Sequence, residues 1–169
     1  MELNTENKLN FGEKLLNFYN HNKVKIFTLL FVTLLVVTSF IFLNHQKMKK
    51  NTLISEKYVK AGIYLSAKKN NEAKKLYEEI IISKNKIYSI LALNTIIEKN
   101  LILDENEILE YFSIVEKSIS NKDQKDLIIL KKALYQINEN QKEEGNKLLK
   151  KLIDNNSSLK IIAQEILED

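Results

Sequence analysis

The side chains best suited to chemistry are few and widely spaced. Histidine, the usual proton carrier and metal ligand near neutral pH, occurs only as His21 and His45. The two flank a long apolar run and cannot readily meet in one molecule, which argues against a histidine metal site or catalytic pair. Carboxylates are plentiful, but Glu78 with Glu79 and Glu143 with Glu144 stand beside lysines on faces expected to be exposed. Ion-paired, solvated surface is the better reading of such pairs than general acid and base. Cysteine is absent, and three glycines leave no GxGxxG, Walker or GxSxG loop. The expectation is therefore no catalytic residue, no metal, no cofactor and no small-molecule substrate, hence not an enzyme.

Composition narrows the partners further. The formal charge of +4 comes from 26 lysines interleaved with 22 acidic residues, with no arginine at all. A nucleic-acid face needs a one-signed stripe, preferably with arginine forks, so no nucleic-acid partner is expected. The absence of proline and the scarcity of glycine favour long helices joined by short polar turns.

From Ile26 to Leu43 the chain reads IFTLLFVTLLVVTSFIFL, without a single charged side chain. As a helix this run rises about 27 Å, close to the roughly 30 Å hydrocarbon layer of a bilayer. Its hydroxyls, Thr28, Thr33, Thr38 and Ser39, can bond back to the preceding turn and so be tolerated in lipid. A cleaved signal peptide would have a shorter run nearer the N-terminus and a small-residue cleavage site, so an uncleaved anchor is expected ahead of it or of a buried core helix. The chain then divides into a tail, residues 1–25, a transmembrane helix, 26–43, and a helical domain, 44–169. Flanking lysines do not orient it: Lys8, Lys14, Lys23 and Lys25 precede the run, and Lys47, Lys49, Lys50, Lys57 and Lys60 follow. In the tail, Phe11, Leu15, Leu16 and Tyr19 are spaced as one helical face, able to lie on a membrane or touch a partner.

Beyond Asn44 the apolar spacing becomes that of half-buried helices, and seven are expected. The first, about Gln46 to Lys68, can continue directly from the membrane helix, with Leu53, Tyr58, Ala61, Tyr64 and Leu65 inward. Then follow Glu72 to Ser83, with Ala73, Leu76, Tyr77, Ile80 and Ile81 inside, and Ile87 to Lys99, with Tyr88, Leu91, Ala92, Thr95 and Ile96 inside. Asp104 and Glu107 form a capping-box pattern ahead of a helix to about Ile119, with Ile108, Leu109, Phe112 and Val115 inside. A fifth helix buries Leu127, Leu130, Ala133, Leu134 and Ile137, and a sixth spans Lys142 to Ile153. Ser157 can cap a last one that buries Leu159, Ile162, Ala163 and Ile166.

The pattern also repeats. Ala61, Tyr64, Ala73, Tyr77 and Ile80 match the small, aromatic and apolar positions of a tetratricopeptide repeat. Ala133, Gly145, Leu149 and Leu152 match them again further along, Ala133 standing to Ala61 as Gly145 stands to Ala73. The fold class expected is all-α: an N-terminal transmembrane helix followed by a tetratricopeptide-like α-solenoid of about three helical hairpins with a C-terminal capping helix. An ordinary helical bundle is the alternative. Such a stack offers a concave surface for a segment of another protein. Tyr58, Leu65, Leu130 and Ile137 are the candidates for it, or else they pack only against their own partner helices.

A charged tail, one span, a helix leading away from it, the stretch KNKIYSILALNTIIEKN and a terminal helix pair together resemble the YfgM-type ancillary subunit of the SecYEG translocon. The specific part is Tyr88, Ser89, Leu91 and Ala92, similar to a tyrosine, small, leucine, alanine pattern of that family and expected to be structural. The resemblance implies a bacterial inner-membrane protein with a cytoplasmic N-terminus and a periplasmic helical domain. It also implies association with the translocon and hand-over of emerging proteins to periplasmic chaperones. This chain is shorter than the typical member by about one hairpin. An anchored scaffold in envelope assembly or division, or a stress regulator signalling through its tail, is the alternative.

Overall fold

The computed structural model describes residues 11–168, and every regular element among them is a helix. Met1 to Asn10, with Lys8 and the start of the tail, lie outside the described residues. The helices are α1 (Phe11–Ser66), α2 (Asn70–Ile82), α3 (Tyr88–Glu98), α4 (Glu105–Ser118), α5 (Lys122–Asn138), α6 (Lys142–Asp154) and α7 (Lys160–Glu168). The chain divides into two compact units after Lys49.

In the first unit α1 carries the apolar run, and the helix continues through Asn44 without a break. No part of the run is buried within the chain, so it is not a core helix, and it is long and apolar enough to cross a membrane. Its threonines satisfy themselves. Thr28 donates to the Val24 carbonyl at 2.8 Å, Thr33 to Leu29 at 2.8 Å, and Thr38 to Leu34 and Leu35 at 3.0 Å each.

The second unit, from Lys50 on, holds two buried clusters. One gathers Ala61, Ala73, Tyr77, Ile80, Ala92, Leu93, Ile96, Phe112 and Val115 from α1 to α4, with Ile128 of α5. The other gathers Ile129, Leu130, Ala133, Leu149, Leu152 and Ala163 from α5 to α7.

Four element boundaries recur at one constant interval: Ser66 with Asn138, Asn70 with Lys142, Ile82 with Asp154, and Tyr88 with Lys160. The turns recur as well. Lys68 and Lys84 have left-handed φ of 57° and 56°, and their counterparts Asn140 and Asn156 have 63° and 51°. After α1 the Lys69 amide donates to the Tyr64 carbonyl at 2.9 Å, and after α5 the Gln141 amide donates to Gln136 at 2.8 Å. Both close the helix end by the same six-to-one bond, with lysine or asparagine where glycine is usual.

The remaining caps follow the side chains. Asp104 Oδ1 accepts from the Asn106 amide at 2.9 Å and starts α4, while Glu107 accepts from the Tyr111 hydroxyl at 2.9 Å. Asn121 Oδ1 starts α5 by accepting from the Gln124 amide, and Ser157 Oγ accepts from the Leu159 amide ahead of α7.

Candidate functional site

A pair of helix faces, rather than a pocket, is the feature with most to offer a partner. Asn94 of α3 and Lys131 of α5 meet across the domain, the lysine Nζ donating to Asn94 Oδ1 at 2.9 Å. Ile87, at the N-cap of α3, and Leu91, on the helix, precede Asn94 at helical spacing and are exposed, Leu91 by 39%. On α5, Leu127 and Leu134 bracket Lys131 at the same spacing and are 43% and 38% exposed. The bond between Asn94 and Lys131 links α3 to α5, and each helix keeps leucine exposed, Leu91 on α3 and Leu127 and Leu134 on α5. Leu127 and Leu134 are expected inside from periodicity. Both are exposed instead, while α5 buries Leu130 and Ala133 as expected, together with Ile128 and Ile129.

The four residues selected for a binding surface lie deeper. Tyr58 is half-buried, its ring 5.7 Å from that of Tyr77 and 5.6 Å from that of Tyr88, and its hydroxyl lies 3.4 Å from that of Thr95. Leu65 is half-buried against the first cluster, Leu130 is buried in the second, and Ile137 is half-buried against it. Ile137 lies where a side chain at Gly145 would fall, so it faces α6. Tyr58 and Leu65 pack against the first cluster, and Leu130 and Ile137 belong to the second or pack against it.

The tyrosine, serine, leucine, alanine stretch has a local account. Ser89 is wholly buried and its hydroxyl donates to the Ile80 carbonyl at 2.9 Å, satisfying a group that the end of α2 leaves open. Ala92 is wholly buried, and Tyr88 packs its ring on Tyr58.

Charges form surface pairs. Lys57 pairs with Glu79, and Lys74 lies 3.4 Å from Glu78 and 3.6 Å from Glu107. Burial, against the pull of Lys74, raises the Glu78 carboxyl above its ordinary range. Burial also pushes the Tyr111 hydroxyl up, helped by its bond to Glu107, and raises Tyr77 and Tyr135. Such shifts accompany partial burial. Among the described residues no group of three or more histidine, cysteine or carboxylate side chains could hold a metal ion.

The sequence reading missed Asp126. Its residue surface is 6% exposed and its Oδ2 is buried without a hydrogen-bond partner. The signal was available: the equivalent position ahead of the first hairpin is Ile54, which packs against the first cluster.

Fold and surface together define an all-helical protein, over its described residues, with a candidate membrane span. No protein-family model, curated protein or solved structure matches the chain significantly.

Proposed function

We propose that this protein is a membrane-anchored, non-enzymatic protein-interaction adaptor whose domain is a tetratricopeptide-like α-solenoid of about three hairpins with a capping helix. The observation that carries this reading is the recurrence of helix ends and left-handed turns at one interval, with small buried residues at equivalent places, Ala61 and Ala73 in one hairpin and Ala133 and Gly145 in another. Tandem helical hairpins expose a long side surface and bury little else, which suits binding an extended segment or helix. The exposed Leu91 of α3 and Leu127 and Leu134 of α5 are the surface we assign to that partner.

The proposed setting is the protein-secretion translocon of a bacterial inner membrane. The N-terminus is cytoplasmic, and the domain passes emerging proteins to periplasmic chaperones. Support for it is the resemblance of the chain's layout and of Tyr88, Ser89, Leu91 and Ala92 to the YfgM-type subunit. Anchoring would raise the domain's effective concentration beside the channel.

Site-directed crosslinking in cells tests both levels. A photoreactive group at Leu91 or Leu134 should capture the channel or newly exported chains, and Leu91→Glu with Leu134→Glu should abolish capture while helicity is retained. A compartment-sensitive reporter fused after Asp169 should report the periplasm. A cytoplasmic signal removes the secretion setting, and crosslinks confined to division or envelope-assembly proteins move the adaptor to the alternative.

A further inference from the structure

Between Glu13 and Glu56 the chain carries six lysines, Lys14, Lys23, Lys25, Lys47, Lys49 and Lys50, and not one carboxylate. The remaining twenty lysines share the rest of the chain with all 22 acidic residues. All six are exposed on α1, and none takes part in an ion pair among the described residues. The same helix thus has a segment in which positive charge is left uncompensated.

The placement of these lysines matters more than their number. Lys25 and Lys47 bracket a stretch of α1 without lysine or carboxylate that rises about 32 Å, the thickness of a hydrocarbon layer. One collar therefore falls at each edge of that layer. At about 100° per residue, Lys23 and Lys25 point to opposite sides of the helix, and Lys47, Lys49 and Lys50 spread around it. A protein or nucleic acid docking along one side would meet one or two of them. A headgroup layer surrounds the helix and meets Lys23, Lys25, Lys47, Lys49 and Lys50 together, while Lys14 lies about 16 Å further out along the helix. Lysine's flexible stem also lets the ammonium reach a phosphate from a backbone position somewhat inside the apolar edge.

We propose that the two lysine collars of α1 bind the phosphodiester headgroups of anionic phospholipids, one collar in each leaflet, and gather phosphatidylglycerol-class lipid around the helix. The inference rests on α1 crossing the membrane. Each collar acts as a ring of point charges without an enclosed pocket, so the binding is selective for charge and weakens with salt.

The experiment places the full chain in phosphatidylcholine vesicles with trace spin-labelled phosphatidylglycerol or spin-labelled phosphatidylcholine. The motionally restricted fraction gives the relative association of each probe with the protein. The expected result is a preference of about fivefold for phosphatidylglycerol at low salt, from roughly one lysine per phosphate. Substituting all six lysines by glutamine should bring the ratio to one, and each collar alone (K14Q/K23Q/K25Q or K47Q/K49Q/K50Q) should lower it part of the way. Equal association for the native chain, or an unchanged ratio in the sixfold variant, overturns the proposal. Glycerol phosphate should compete no better than sodium chloride at matched ionic strength; stronger competition would assign the lysines to free phosphate and overturn the lipid assignment. If no lipid of either class is restricted and alkaline carbonate extracts the chain, α1 does not span, and that result overturns the anchor itself.

Discussion

The hairpin formed by the end of α1 with α2 and the hairpin formed by α5 with α6 have the same frame and different fillings. In the first, Tyr58 packs against the edge of Tyr77 and, tilted, against Tyr88 at the start of α3. Their counterparts in the second are Leu130, Leu149 and Lys160, and the second cluster is aliphatic. What is kept is the pair of small residues at the crossing, together with the left-handed turns. The difference teaches that backbone approach and turn geometry set this fold, while core side chains exchange so long as apolar volume is supplied.

The crossing in the second hairpin is the tighter constraint, and breaking it should have the largest effect. A Cβ at Gly145 would lie 2.7 Å from the Ala133 carbonyl oxygen and 2.6 Å from Ile137 Cγ1. Gly145→Ala should cost about 3 kcal/mol despite the better helix propensity of alanine. Gly62, in the first hairpin, would place its Cβ only 3.9 Å from the Tyr77 hydroxyl. Gly62→Ala should therefore stabilise by roughly 0.5–1 kcal/mol. Urea unfolding of the full chain in mild detergent, followed by helical circular dichroism, reads both. Equal effects of the two changes would remove the claimed difference between the hairpins.

Asp126 is where the second hairpin departs from the first at a cost. Replacing it with the residue at the equivalent earlier position, Asp126→Ile, removes a buried carboxylate oxygen without a partner and should raise stability by about 1–2 kcal/mol at pH 7. A loss of stability in the same unfolding assay would mean that the carboxylate has a structural partner.

The turns sharpen the comparison on a smaller scale. Lysine suffers more in the left-handed region than asparagine, so Lys68→Gly should gain up to about 1 kcal/mol and Asn140→Gly less. Thermal melts of the two variants side by side check the order; a larger gain at Asn140 would contradict it.

Titration separates the two clusters more gently still. A tyrosine whose folded value is raised supports the fold below about pH 10 and loses that support as pH rises through the folded value, because the unfolded chain gives up its proton first. Tyr77 and Tyr111 lie in the first cluster, so its melting should fall earliest on the alkaline side, and Tyr111→Phe should flatten that limb. Glu78 follows the same sign at lower pH: its contribution is present below the ordinary carboxylate range near 4.5 and lost as pH rises through its raised value. Glu78→Gln should thus be neutral or slightly stabilising at pH 7. Melting curves that do not change between pH 9 and 12 would refute the alkaline limb.

Much of this was legible in the residues because the signals are local. The apolar run has a length, Asp104 has a cap to make, and Ala61, Ala73, Ala133 and Gly145 mark hairpin crossings by their size. Helix phase was less legible where apolar residues run together. In Leu127 to Leu130 four successive apolar side chains fit several faces equally well, and Ile80 to Ile82 raise the same ambiguity. Leu93 rather than Leu91 is buried on α3 for the same reason, since IYSILALNTII offers two apolar stripes and only the neighbouring helices choose.

The sequence by itself determined helices, their ends, the long apolar segment and its acid-free lysine flanks, because chain chemistry within a few turns decides each of these. Only the tertiary structure decided which stripe of each helix faces inward. It decided too that Asp126 is enclosed, that Leu91 and Leu134 stay half-open, and that Asn94 meets Lys131. Those outcomes depend on contacts between residues far apart in the chain, where burial is set by the neighbour that arrives.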